Sequence, residues 1–439
     1  MRKVIKASVV ITMKDKAEIY SPGYVIVEKE RIVEVGKGEP KIANDDELID
    51  LSGKLIMPGL INAHTHTPMV LTRGMCEGVS LFTMDGFLNT LRRYESFADS
   101  DMAALTAPLN LAEMIRTGTT SFADQYFYTD RIFEATDRAG LRGLLCYGIV
   151  ELGSEEARNR ETKSCEAFLE MCQNHPFIKG WVGPHAFFVD NSSDLIEIEK
   201  KLAKKYNTGF HIHFATSNEE NDYCNEHFNG KSAIEMMEKM GILEVPILAA
   251  HAITVDEKDM EIMRKYPITP VMAPSSSMKS GFPAAPIKAY RDHGIFPALG
   301  TDNLCASNSA DLFREMATGI KLMINREHDV NVISAYDMVK MATVDGAKAI
   351  GMGSELGVLE KGRLADIISL DLSDPGWVPF CGQDYYTQLV YSISGMSVCD
   401  SMVNGNFIMR DKKLLTLDMS KVAEDAEKAT AELIRRMEK

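Results

Sequence analysis

The chain has 439 residues, 45% hydrophobic and 25% charged, which allows a large buried core and excludes a disordered or fibrous protein. A formal net charge of −15 repels phosphate backbones and anionic membrane surfaces, so neither nucleic acid nor membrane is expected as a partner. Eight cysteines, spread from Cys76 to Cys399 without a CxxC pair, fit reduced thiols in a cytoplasmic protein better than a secreted disulfide framework.

At the N-terminus Arg2 and Lys3 precede an apolar stretch, but Lys6 interrupts it and the run is too short for a signal peptide. No segment approaches the roughly 18 to 20 apolar residues of a membrane span. Residues 1–58 read as short strands, KVIKASVVIT, GYVIVEKERIVEVG and ELIDLSGKLIMPG, rich in Val and Ile. From about residue 59 to 355 short apolar runs alternate with helical patterns. The runs are GLINAHTH, GTTSFADQ, RGLLCYGIV, IKGWVGPHAFF, TGFHIHFAT, PILAAHAI, PITPVMAP and GIFPALGTD. Eight strand-and-helix units predict an α/β fold, a (β/α)8 TIM barrel. Among its helices are AALTAPLNLAEMIRTG and SDLIEIEKKLAKKYN, the second with Ser192, Ser193 and Asp194 as candidate caps. Over 356–439 strands return, with Asn404-Gly405 as a hairpin signal. The two chain ends are expected to pair into a small β-sandwich domain beside the barrel, and SKVAEDAEKATAELIRRMEK to form an amphipathic surface helix.

The chemistry concentrates at strand ends. His64 and His66 stand two apart after an apolar run, and on a strand i and i+2 share a side. Imidazoles converging at the C-terminal end of barrel strands predict a metal site. FHIHF ends a further strand with His211 and His213, ILAAHAI carries His251, and ALGTD ends on Asp302. Of ten histidines in the chain, five thus stand at or near strand ends. His175, His227, His293 and His328 lie in helical or loop text and are expected at the surface.

The ordered motifs PGLINAHTHTPMVLTRG, GTTSFAD, GPHAFF, FHIHF, AAHAI, GTDNLCASNSADLF and ATVDGAKAIGMGSELGVLEKGRLADIISLDL cover nearly the full length. In them the chain resembles the amidohydrolase superfamily, in the aminohydrolase branch that includes S-adenosylhomocysteine and methylthioadenosine deaminases, guanine deaminase and triazine hydrolases. The resemblance implies His64, His66, His213 and Asp302 as metal ligands, with His211 inside the barrel. It implies His251 facing the reacting oxygen, Asp302 also acting as base, and His185 touching substrate. Binuclear relatives carry a lysine at the end of strand four, and GWVGPHAFF has none, so one divalent ion per chain is expected, zinc first and ferrous iron second.

The pattern also breaks. Relatives place a glutamate three residues after the strand-five histidine, where it protonates a ring nitrogen; here that residue is Thr216, a very poor acid. Glu219 and Glu220 stand close by, and either reach in or sit solvated on a helix. Met272 and Ala273 replace a histidine and an asparagine after strand seven, Phe82 or Phe87 stands for a stacking tryptophan, and Ala306 replaces a serine, with Ser307 beside it in the expected substrate shell. Arg158 and Arg160 lie where relatives keep a ribose or carboxylate contact, or else on the surface.

The reading is a metal-dependent hydrolase acting on a small molecule, by hydrolytic deamination or related C–N or C–X hydrolysis of a nitrogen heterocycle. The metal would lower the pKa of its water toward neutrality, Asp302 would carry the proton to the leaving amine, and His251 would polarise the ring or stabilise the oxyanion. Thr216 also suits cyclic amide or lactam hydrolysis, which needs no ring protonation. A non-catalytic binding protein on the same scaffold is the third reading. A homo-oligomer is compatible with the resemblance.

Overall fold

In the parallel units both faces of each strand must be covered, so each reads as a nearly continuous apolar run. The computed structural model describes residues 2–151, 153–186 and 191–439. In it the eight runs form eight parallel strands: Leu60–Thr65, Thr119–Tyr126, Arg142–Ile149, Ile178–Pro184, Phe210–Phe214, Ile247–His251, Ile268–Met272 and Ala298–Leu299. Every residue of the first two is buried. Each strand pairs with the next in sequence order. The ring closes where Thr65 bridges Asp302 and the N–H groups of Thr301 and Asp302 donate to the His64 carbonyl, at 3.0 and 2.9 Å. The expected fourth strand ran on to Phe188; Phe187 and Phe188 lie outside the described residues.

Helices pack around the barrel with their entry residues supplying caps. The Asp99 carboxylate accepts from Met102 N–H ahead of Ser100–Arg116, and the Ser192 hydroxyl accepts from Leu195 N–H ahead of Ser193–Tyr206.

The chain ends build one nine-stranded mixed sheet. Arg2–Ile11 runs parallel to Glu47–Pro58 and antiparallel to Gly23–Glu28, while Ile367–Asp371 returns antiparallel to Glu47–Pro58 with Ile367 opposite Pro58. Asn404 (φ 52°) and Gly405 (φ 71°) turn the hairpin between Val398–Val403 and Asn406–Arg410, both in the left-handed conformation a two-residue hairpin of this hand demands. Buried Arg142, at the start of barrel strand three, donates from Nε and Nη2 to Asp366 at 3.1 Å each, tying barrel to sheet. The helix Met419–Met437 lays Val422, Ala426, Ala429 and Leu433 inward, the last two packing with Met102 of Ser100–Arg116. No described helix is long and apolar enough to cross a membrane.

Candidate metal centre and active site

The candidate residues converge because the strands carrying them run in parallel and end on one face of the barrel. His64 and His66 leave strand one, His211 and His213 lie on strand five, His251 ends strand six, and Asp302 follows strand eight. His251 and Asp302 have φ of 74° and 60°, left-handed values uncommon for residues with a Cβ. Such backbone is tolerated where surrounding structure holds it, and here it turns both side chains to the same point.

The donor atoms of His64, His66 and His213, and those of His64, His251 and Asp302, form two overlapping groups, each with its atoms within 4.8 Å of one another. The His66 Nδ1–H donates to the Gln125 carbonyl at 2.5 Å, and the His213 Nδ1–H to the His185 carbonyl at 2.9 Å. Each ring is thereby oriented with Nε2 toward the centre, and the two Nε2 atoms stand 3.2 Å apart. His64 Nδ1 lies 2.8 Å from His211 Nε2, while its own Nε2 is buried with no hydrogen-bond partner. Asp302 Oδ1 is 3.5 Å from that nitrogen and 3.4 Å from His66 Nε2. Imidazole nitrogens and a carboxylate oxygen directed at one another, one nitrogen orphaned, form a donor set that fits a divalent metal ion. His211 stands one layer deeper, behind His64.

Electrostatics agree with that fit. Burial, with repulsion from neighbouring imidazoles, pushes His213 and His211 well below the ordinary histidine range and His251 down to about 3. Burial lowers His64 despite its contact with Asp302. Burial opposes charge on His66 as well, but Asp302, Asp124 and the Gln125 carbonyl outweigh it and raise that ring, drawing positive charge to the centre. Asp302 is pulled far down, its burial overcome by His64 and His66, so it stands as a carboxylate. Asn303 grips it through N–H at 2.5 Å and Nδ2 at 3.0 Å to Oδ1.

Over the centre lies an open cleft whose floor includes His66, His213, His251 and Asp302. His185 lines it with Phe87 stacked on its ring, centroids 4.4 Å apart and planes 16° from parallel. Phe82 also lines it, 4.4 Å from the His251 ring. Thr216 is in the wall, its hydroxyl oxygen buried without a partner. Met272 does not reach this cleft: it packs with Ala273 in a small cavity behind His251. Ser307 turns its hydroxyl to the Asn303 and Ser309 carbonyls instead.

The two glutamates near Thr216 separate. Glu219 is exposed and accepts the Met84 N–H at 2.7 Å, pinning the segment over the cleft. Glu220, 6% exposed, folds back from the first turn of Asn218–His227, accepts the Ala215 N–H at 2.6 Å and lines the cleft. Sequence reasoning did not find Gln125, Asp124, Arg92, Glu95 or Asn303. Gln125 Nε2 donates to the Pro184 and His211 carbonyls at 2.6 Å each, clamping strands two, four and five. Its only signal was a buried amide in the apolar run GTTSFADQ. Asp124 accepts both N–H and O–H of Thr67, and burial lifts it to about 6.

Residues 55–408 match the amidohydrolase family. The chain is 33% identical to a 5-methylthioadenosine/S-adenosylhomocysteine deaminase of Thermoanaerobacter pseudethanolicus, over 99% of this chain and 100% of the relative. It is 34% identical to a 5'-deoxyadenosine deaminase of Methanosarcina mazei, over 99% of each. Its fold matches the zinc-bound adenosine deaminase from Xanthomonas campestris with a TM-score of 0.93 at 23% identity, covering 99% of this chain and 98% of that one.

Proposed function

Because the chain belongs to the amidohydrolase family, we propose that it is a metal-dependent aminohydrolase that removes an exocyclic amino group from a nitrogen heterocycle, adenine-like nucleosides first. The observation that carries the reading is the convergence of His64, His66, His213 and Asp302 beneath an aromatic cleft whose wall holds a buried carboxyl group, Glu220. Those four residues would hold the ion, zinc in the first instance, and a bound divalent metal supplies a Lewis acid that lowers the pKa of water toward neutrality.

The chain's own groups account for the rest. Asp302, held as a carboxylate and oriented by Asn303, takes the proton of the attacking water and delivers it to the leaving amine. His251 is neutral and hydrogen-bonds the oxygen that attacks the ring carbon. His185 and Phe87 form one flat wall for a planar ring. Thr216 offers its partnerless hydroxyl to the ligand. Glu220 takes the role Thr216 cannot fill, protonating the ring nitrogen as the carbon–oxygen bond forms. Cyclic amide hydrolysis is the second reading, favoured by Thr216 and disfavoured by the presence of Glu220.

The test is ammonia release by metal-loaded protein from aminopurine nucleosides, aminopurines, aminotriazines and cyclic amides. Deamination predicts ammonia from the first groups, and Glu220→Gln should lower kcat by about 10²-fold with metal retained. Turnover of cyclic amides alone, indifferent to Glu220→Gln, would establish the second reading instead.

A further inference from the structure

A positively charged side chain in a cleft attracts anionic substrates only if its charge is not already spent. Among the described residues lining this cleft, Arg92 is the one lysine or arginine, against the carboxyl groups of Glu95, Glu219, Glu220 and Asp302. Arg92 Nη1 donates to Glu95 Oε2 at 2.8 Å, and the guanidinium lies over the Phe127 ring, 5.1 Å from its centroid. The pair is largely shielded, with side chains 28% and 12% exposed. Arg158 and Arg160, which the sequence leaves open between a substrate contact and the surface, are engaged elsewhere. Arg158 Nε donates to Glu151 at 2.6 Å with Asp194 nearby, Arg160 Nε donates to Glu161 at 2.8 Å, and neither lines the cleft.

Resting on the deaminase reading, we propose that the cleft accepts neutral or cationic heterocycles, rejects those carrying a phosphate or carboxylate, and owes this selectivity to Glu95, which cancels Arg92. An entering anion has two options. It can shed its water while Arg92 stays held by Glu95, with the Glu219 carboxylate also in the cleft lining and no other lysine or arginine among the described lining residues to meet its charge. Otherwise it must pull Arg92 away from Glu95 and leave that shielded carboxylate without its cation. The first relative reported above is named for methylthioadenosine, which has no carboxylate, and for S-adenosylhomocysteine, whose amino-acid arm carries both a carboxylate and an ammonium, while the second is named for 5'-deoxyadenosine, which carries neither.

The experiment compares adenosine, methylthioadenosine and adenosine 5'-monophosphate with the metal-loaded enzyme, by kcat/KM and separately by calorimetric binding. Methylthioadenosine is the control for size, since it adds a neutral arm at the same carbon. The wild type is expected to favour both neutral compounds over the monophosphate by at least 100-fold in kcat/KM and 30-fold in affinity. Glu95→Gln, which frees Arg92, should narrow the affinity gap at least tenfold, whereas Arg92→Met should leave it as wide or wider. Equal binding of the monophosphate, an unchanged gap in Glu95→Gln, or binding of none of the three overturns the inference. Rejection of methylthioadenosine together with the monophosphate overturns it too, because size would then decide. If the neutral compounds bind selectively but release no ammonia, the deaminase reading falls and the charge selectivity stands.

Discussion

At the residue scale, the clearest division is between His213 and His211, two residues apart on one strand. Nε2 of His213 faces His66 Nε2 at 3.2 Å, while Nε2 of His211 meets the back of His64 at its Nδ1, 2.8 Å away. His213→Ala should therefore abolish stoichiometric metal binding. His211→Ala should keep one metal per chain at saturation but bind it about 10- to 100-fold more weakly, as expected for a group that orients a ligand. Metal analysis and competition with a chelator decide this, and the reverse ranking would move the site one layer down the barrel. The shared side of His64 and His66 followed from strand periodicity alone, but the depth ranking on strand five did not, because i and i+2 look alike until neighbouring strands fix the register. A second prediction concerns Glu315, in Leu312–Glu327, whose Oε2 accepts the Ser275 N–H at 3.0 Å. Burial lifts this carboxyl from its ordinary 4.5 to about 7. Between those values the unfolded chain releases the proton first and the folded chain retains it, so stability falls as pH rises through that window. Glu315→Gln should be more stable than wild type at pH 8, by at most about 3 kcal/mol, with the gap closing toward pH 5. A gap independent of pH would show that Glu315 does not titrate there.

At the element scale, strand eight is the shortest of the barrel, and its approach to strand one shapes the centre. Gly300 lies where a Cβ would stand 2.8 Å from both the Cβ and the backbone nitrogen of His64. No side chain fits without displacing strand one. Gly300→Ala should lower metal affinity at least tenfold and cost about 1 to 3 kcal/mol of stability. Unchanged affinity in a folded variant would show that the two strands can part without disturbing the ligands. The sequence run ALGTD announced a bend before Asp302 but could not say what the glycine touches, since its neighbour is more than 200 residues away.

For the whole molecule, the joint between barrel and composite sheet rests on a buried ion pair. Arg142 holds Asp366 with two hydrogen bonds and reaches Asn404 Oδ1 at 2.9 Å, while the Asn404 N–H donates to Asp366 at 2.8 Å. Removing one partner strands a buried charge, so Asp366→Ala should destabilise the protein by about 3 to 5 kcal/mol. The paired change Arg142→Met with Asp366→Leu should recover most of that loss. Urea denaturation measures both, with metal content as a control, since the joint lies at the opposite end of strand three from the cleft. No recovery in the double variant would mean that the pair directs the fold rather than merely filling space.

What the sequence determined by itself was local or periodic: eight apolar runs of strand length, histidines spaced to share a strand face, a serine cap at Ser192, and an Asn-Gly turn. These properties need only neighbours within a few residues. What the tertiary structure decided depends on which distant segments meet. Met272 was displaced from the substrate wall because strand seven ends behind His251, Ser307 turned its hydroxyl onto its own loop, and Glu220 was buried in the cleft wall while Glu219, which also lines the cleft, stayed exposed and took the Met84 N–H. Arg92 was neutralised by Glu95 and Gln125 was drawn across three strands. Packing alone placed Met272; the other outcomes turn on hydrogen bonds and ion pairs whose partners packing brings together.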